Sequence, residues 1–277
     1  AETLLKNADM AMYKAKENGR NNFQFFTEEL NRIVIGNLEL EDQLYKALRE
    51  NEFEIHFQPK ITVTTGKIIS AEALIRWHAP KRGLVSPASF IPLAENTGFI
   101  LPLGDWVIEQ ACKVLRSWLD NDIPVVPVSI NLSPRQFNQP NLLKKIQSLL
   151  GKYNLPAELL ILEITENCLA NDQQDFLRTL EDMKKVGLQI AIDDFGKGYS
   201  NMHYLKTMPV DYLKVDRSFM SSIEIDEKSR AIYRAIISLA HNLDLFVIAE
   251  GVETETQFEF LRSIKCDAIQ GYYYSMP

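Results

Sequence analysis

Five short apolar runs in this 277-residue chain each end in a carboxylate, an amide or a lysine, at intervals of about one strand–helix unit. Leu159-Leu160-Ile161-Leu162 runs into Glu163, and Ile190-Ala191-Ile192 runs into Asp193-Asp194. Phe246-Val247-Ile248-Ala249 ends at Glu250, Val128-Ser129-Ile130 at Asn131, and Tyr212-Leu213 at Lys214. Buried parallel strands read as short apolar runs, so each polar residue is expected at the C-terminal end of its strand. In a closed (β/α) barrel those ends share one face, where residues from different strands meet to do chemistry. A ring of carboxylates repels itself, and a divalent metal is the simplest remedy. The pattern predicts a metal-dependent barrel enzyme.

The elements that must carry these residues alternate from Phe53 onward, as in an α/β fold with a largely parallel sheet. Phe53 to Gln58 alternates with period two, and Ile68 to Trp77 supplies a second strand. Ser86-Pro87 is a helix start, with Ser as cap and Pro in the first helical position. Val107, Ala111, Val114, Leu115 and Trp118 mark a packed helix, and a helix from Asp175 to Val186 is stopped by Gly187. Further helices are predicted over Ala231–Leu243 and Thr256–Ile264. Upstream, Leu5, Ala8, Met12 and Ala15 share a helical face before Gly19, and Asn22-Phe23-Gln24-Phe25-Phe26 reads as a short strand. A charged helix from about Glu28 to Glu50 follows, with Leu40, Leu44, Ala47 and Leu48 on one side.

A hydrophobic content of 46% over 277 residues supports a sizeable core, and one barrel of about 250 residues would use most of the chain. A net charge of -7 argues against a polymeric nucleic acid as partner. Cys112, Cys168 and Cys266 are odd in number and widely spaced, which predicts buried, inert thiols and a reducing compartment. No apolar stretch approaches the ~20 residues of a membrane span, so a soluble, cytoplasmic chain is expected, with a membrane tether upstream left open.

Glu72-Ala73-Leu74, followed by Ile75-Arg76-Trp77, is the point at which a family resemblance emerges. Taken with Asn131, Glu163-Ile164-Thr165-Glu166, Asp193-Asp194-Phe195-Gly196, Lys214-Val215-Asp216, Glu250-Gly251-Val252-Glu253 and Gln270-Gly271-Tyr272, it resembles the EAL domain family. That resemblance implies a TIM-like (β/α)8 barrel whose first strand is antiparallel. It also implies hydrolysis of cyclic di-GMP to linear 5′-pGpG in bacterial second-messenger signalling. The stretch from Ala8 to Lys16, with Gly19-Arg20-Asn21, resembles the last helix of a GGDEF domain. The organisation so implied is a GGDEF remnant at 1–27, a linker helix at 28–50 and an EAL domain at 38–277, from a tandem protein with upstream GGDEF or sensor domains. No cyclase activity is expected, because the catalytic part of a GGDEF domain is missing from these residues.

Phosphodiester hydrolysis needs a hydroxide nucleophile and neutralised phosphoryl charge, and two metals can supply both. Oxygen ligands without histidine favour Mg2+ or Mn2+, with Ca2+ inhibitory because its coordination is looser and longer. The resemblance implies Glu72, Asn131, Glu163 and Asp193 as ligands of one ion. Asp193 would bridge to the second ion, shared with Asp194 and Glu250. Adjacent aspartates point to opposite faces of a strand, so both can serve only if the chain turns there; Gly196 and Gly198 allow it. Lys214 is the cation of the ring, implied to orient or deprotonate the attacking water while held by Glu253. Gln58, Leu74, Arg76 and Gln270 are implied as substrate contacts: Arg76 on a phosphate, the two glutamines on a guanine edge or a metal-bound water. His56, His78, His203 and His241 match no ligand spacing and read as structural or surface residues.

The segment from Asp193 to Met202 resembles the family's loop that couples metal binding to homodimerisation, braced by Glu166. It departs from the common pattern at Lys197, where threonine is usual, and at Asn201-Met202. Family members also continue into a further helix beyond the equivalent of Pro277. Two other readings compete with the hydrolase: a non-hydrolysing cyclic di-GMP receptor, which should lack several of the ligands named, and a different Mg2+ barrel enzyme such as an enolase-like lyase.

Overall fold

Residues 5, 7–8, 11–12, 21, 23–80, 82–165, 168, 173–197 and 205–277 are described by a computed structural model of the chain. They divide into two compact units, Ala1–Glu54 with Ile75–Leu103, and Ile55–Leu74 with Gly104–Pro277.

The larger unit is built on strands β1 (Phe53–Thr62) from Ile55 onward, β2 (Ile68–Ala79) as far as Leu74, β4 (Val128–Leu132), β5 (Leu160–Thr165), β6 (Gln189–Phe195), β7 (Tyr212–Val215), β8 (Phe246–Glu250) and β9 (Ala268–Gln270). They run in the order β1-β9-β8-β7-β6-β5-β4-β2, and a β1–β2 pairing closes the barrel. Every pair from β2 through β9 is parallel, whereas β1 lies antiparallel to β9, so the inverted first strand is present. A short β3 (Gly83–Val85) extends β2 antiparallel.

Side-chain alternation along these strands decides what faces what. Val128, Ile130 and Leu132, then Leu160, Leu162 and Ile164, then Ile190 and Ile192, Leu213 and Val215, and Val247 and Ala249 all join one apolar core. Ile146, Leu180, Met183, Tyr233 and Ile237 belong to the same core. They come from the helices Leu142–Lys152, Gln173–Val186 and Glu227–Asn242. The intervening positions, Ser129, Asn131, Ile161, Glu163, Ala191, Asp193, Lys214, Ile248 and Glu250, therefore share the opposite, inner face. One periodicity thus builds the helix-facing core and loads the barrel interior.

In the smaller unit, helix α1 (Glu28–Arg49) buries Leu40, Leu44 and Ala47 and packs against α2 (Pro87–Thr97). The indole of Trp77 is fully buried between Phe53 and Phe90, with ring centroids 5.7 and 5.6 Å away, and its Nε1–H donates to Glu52. Helix α2 starts where Ser86-Pro87 predicts, although the Ser86 side chain makes no cap bond. It ends at Gly98, whose φ of 83° is the left-handed geometry of a helix stop.

Two upstream expectations fare differently. Ala8 and Met12 are helical, while Ala15 and Gly19 lie outside the described residues. Residues 23–27 form no strand: Phe23 and Phe25 are exposed, and no strand among the described residues pairs with them. Alternation alone does not make a strand when nothing completes its hydrogen bonds. No helix among the described residues is long and apolar enough to cross a membrane. Cys112, Cys168 and Cys266 are buried and form no disulfide among the described residues; burial pushes Cys112 up to about 11 and Cys266 to about 12.

Candidate functional site

Lys214, on β7, is the hub of the barrel interior. Its Nζ reaches Glu250 at 2.8 Å, Asp193 at 3.0 Å and Glu72 at 3.3 Å, and it also donates to Glu163. Four strands thus deliver carboxylates to a lysine that is 1% exposed. Burial pulls the Lys214 ammonium down, but Asp193, Glu163, Glu250 and Glu72 outweigh it and hold it well above the usual lysine range. Lys214 is therefore held as an ammonium that donates hydrogen bonds to these carboxylates. Its expected partner Glu253 is instead exposed, at the mouth of an open cavity, with its backbone N–H on Gln257.

Glu163 sits deeper than its expected strand-end position, followed in β5 by Ile164 and Thr165. The reason is a second lysine that the sequence analysis missed. Lys60, fully buried on β1, donates to Glu163 Oε1 and to Ser129 Oγ at 2.6 Å, while Lys214 takes Glu163 Oε2. Burial pushes the Glu163 carboxyl up, yet the two lysines bring it down to about 2. The signal was available: Lys60 lies two residues from Gln58 in an alternating strand, hence on the same face.

Asp193 and Asp194 meet the requirement that the chain turn between them. The β6–β7 register shifts between Ile192 and Phe195, and Asp194 takes a φ of 55°. That bulge carries both carboxylates towards Glu250, and one oxygen from each of Asp193, Asp194 and Glu250 lies within 4.8 Å of the others. Burial raises Asp193 to about 6; Lys214 opposes the rise, and Glu163 and Glu72 add to it. Burial likewise lifts Glu250 to about 8, against Lys214 and with Asp193 and Glu72.

Around Glu72 the remaining amides form a chain. Asn131 Nδ2 donates to Glu72 Oε1 at 2.6 Å and Gln270 Nε2 to Glu72 Oε2 at 2.7 Å. Gln270 Nε2 also reaches Gln58 Oε1 at 3.0 Å, and Gln58 donates to the Ser275 carbonyl. Among the described residues, none donates a hydrogen bond to the buried Oε1 of Gln270. Gln58, Glu72, Leu74, Glu250, Glu253 and Gln270 line a cavity of about 210 Å³ together with Tyr272 of the Gln270-Gly271-Tyr272 motif and with Arg217, which the sequence analysis did not single out. Arg76 belongs to the smaller unit, where its Nη1 donates to the Ile75 carbonyl. Glu166, Gly198, Asn201, Met202 and His203 lie outside the described residues. Lys197 is described: its Nζ pairs with Asp194 at 2.5 Å and with Asp216 at 2.9 Å. His78 pairs with Glu54 and His241 with Asp267 on exposed or half-exposed surface, and neither touches the acidic cluster.

A parallel barrel that gathers oxygen ligands at one end around a buried lysine defines an α/β-barrel protein with a metal-accepting acidic site. The chain belongs to the EAL domain family, whose model matches residues 41–277. It is 41% identical over 274 residues to the bifunctional diguanylate cyclase/cyclic di-GMP phosphodiesterase MucR of Pseudomonas aeruginosa, covering 99% of this chain and 40% of MucR. It is 40% identical over 276 residues to the cyclic di-GMP phosphodiesterase NbdA of the same organism, covering 100% of this chain and 35% of NbdA. The chain thus spans well under half the length of these relatives. A solved structure of the PaMucR phosphodiesterase in complex with c-di-GMP superposes with a TM-score of 0.83 at 40% identity, over 86% of this chain and 97% of that one.

Proposed function

We propose that this chain hydrolyses cyclic di-GMP to linear 5′-pGpG with two divalent ions, Mg2+ or Mn2+. The observation that carries the reading is the convergence of Asp193, Asp194 and Glu250 to within 4.8 Å, beside a Glu72–Asn131–Glu163 group on neighbouring strands. The donor set fits such ions, being oxygen only and rich in carboxylates. Glu72, Asn131, Glu163 and Asp193 would hold one ion, and Asp193, Asp194 and Glu250 the other. When bound, such ions supply an activated hydroxide and neutralise charge on the phosphoryl group.

The protein's own groups do the rest. Lys214 acts as a donor that orients the attacking water and stabilises negative charge, since its ammonium has no lone pair with which to take a proton. Arg76 offers a forked donor to a phosphate. Gln270 presents its unpartnered Oε1 and Gln58 its amide to a guanine edge, with Leu74 packing beside them. Glu253 lines the same cavity as Glu250 and Gln270 and is the remaining catalytic candidate of the set. Attack by the hydroxide forms one P–O bond and breaks the bond to the 3′ oxygen, which takes a proton from solvent to become the new hydroxyl and so balances the proton that the attacking water released to solvent.

Cellular context extends the same reading. The EAL domain would begin near residue 38 behind a linker helix at 28–50, with 1–27 as the remnant of a GGDEF domain and sensor domains upstream. The chain would work in the cytoplasm as a homodimer through the segment after Asp194 that Glu166 braces, with no polymeric nucleic acid as partner. Ca2+ would occupy the site and inhibit. Glu72→Ala tests the reading: turnover should be abolished while the fold is kept, and near-normal kcat in saturating Mg2+ would refute the ligand role of Glu72.

A further inference from the structure

The two lysines on Glu163 have different neighbourhoods. Lys214 bridges Glu163, Glu72, Asp193 and Glu250, all of them residues that the proposed function assigns to metal. Among the described residues Lys60 has side-chain bonds to Ser129 and to Glu163 Oε1 only, and it enters from β1, the strand antiparallel to β9. A bound cation would compete with Lys214 for all four carboxylates, whereas it would leave the Lys60–Ser129 pair untouched.

We infer that Lys60 is a positioning residue: anchored on Ser129, it fixes Glu163 Oε1, so that Oε2 stays aimed when Lys214 yields the acidic cluster to metal. The inference rests on the reading of Glu163 as a metal ligand. Two effects oppose one another. As a nearby positive charge Lys60 repels a divalent ion, so its removal should tighten metal binding. As the anchor of a ligand it fixes the carboxylate, so its removal should loosen binding. Partners that orient metal ligands are typically worth roughly 10- to 100-fold in metal affinity, and at an anchored, fully buried carboxylate the second effect should prevail. Ser129 supports this, because its hydroxyl fixes the lysine without itself being a ligand.

The test is calorimetric titration of Mn2+ into the metal-free chain as wild type, Lys60→Met, Glu163→Gln and the double variant. Each single variant should bind Mn2+ roughly 10- to 100-fold more weakly, and the double variant no more weakly than Glu163→Gln alone. A merely structural role for Lys60 would give additive losses and would overturn the proposal, as would unchanged or tighter binding by Lys60→Met. If Glu163→Gln binds Mn2+ like the wild type, the metal reading of Glu163 fails and the proposal with it. Should Lys60→Met not fold, Ser129→Ala frees the lysine with all charges kept: weaker Mn2+ binding supports the anchor, and unchanged binding overturns it.

Discussion

The backbone amide of Asp194 donates to the carboxylate of Asp193 at 2.9 Å, across a residue that sits at a φ of 55°. This bond locks the bulge that brings two consecutive aspartates to the same end of the barrel. In a regular strand they would face opposite sides, and one of them would lie among the helices. Bulges near active sites re-aim side chains in this way. The turn lets β6 contribute two carboxylates where β2, β5 and β8 contribute one each.

Lys214 holds the acidic cluster together in the absence of metal. Lys214→Ala leaves Glu72, Glu163, Asp193 and Glu250 with less compensation and should lower the melting temperature of the metal-free chain, with Mn2+ restoring much of the loss. Its kcat should fall far more than its affinity for cyclic di-GMP. Equal losses in both, measured by single-turnover kinetics and calorimetry, would restrict Lys214 to binding.

The raised carboxyls give a pH dependence with a definite sign. Glu250 moves from 4.5 to about 8 and Asp193 from 3.8 to about 6, so the folded chain holds protons that the unfolded chain has lost. Their contribution is favourable below the ordinary carboxylate values and is lost as pH rises towards about 8. Glu163, lowered to about 2, stabilises above 4.5 and weakens only in strong acid, so it does not offset that loss. Scanning calorimetry in EDTA should show the melting temperature falling from about pH 5 to about pH 8, and Mn2+ should stabilise more at the upper end. A flat profile would contradict the arrangement.

On the proposed metal reading, Lys197 would compete with a divalent ion for Asp194. Its ammonium already pairs with Asp194 and Asp216, and burial pulls it down less than those two carboxylates raise it. Asp216, which also caps the helix that begins at Arg217, is lowered to about 2, its burial outweighed by Ser218 and Lys197. Lys197→Thr should therefore strengthen Mn2+ binding several-fold and make it less sensitive to salt, by calorimetry at two ionic strengths. Weaker binding would mean that Lys197 supports the site.

Much of this was legible in sequence because one rule governs it. The same alternation that puts Leu160 and Leu162 in the core puts Glu163 inside the barrel, so apolar runs ending in polar residues report both the fold and the site. What escaped has physical reasons. Lys60 was overlooked because a lysine in a strand reads as solvated, and only its two carboxylate- and hydroxyl-bearing neighbours make burial tolerable. The partnering of Lys214 with Glu163 rather than Glu253 depends on depth along the barrel axis, which spacing does not encode. The helix Leu142–Lys152 is not among the predicted helices although Leu142, Ile146 and Leu150 carry its period; Arg217 reaches the cavity from the first residue of its helix and Tyr272 from the turn after β9.

The central claim is hydrolysis, and nucleotide chromatography of cyclic di-GMP incubated with the purified chain tests it most directly, in Mg2+ or Mn2+ with an EDTA control. The account predicts metal-dependent conversion to pGpG, abolished by EDTA. Intact cyclic di-GMP recovered from a chain that binds both it and Mn2+ would contradict the claim and make the protein a receptor.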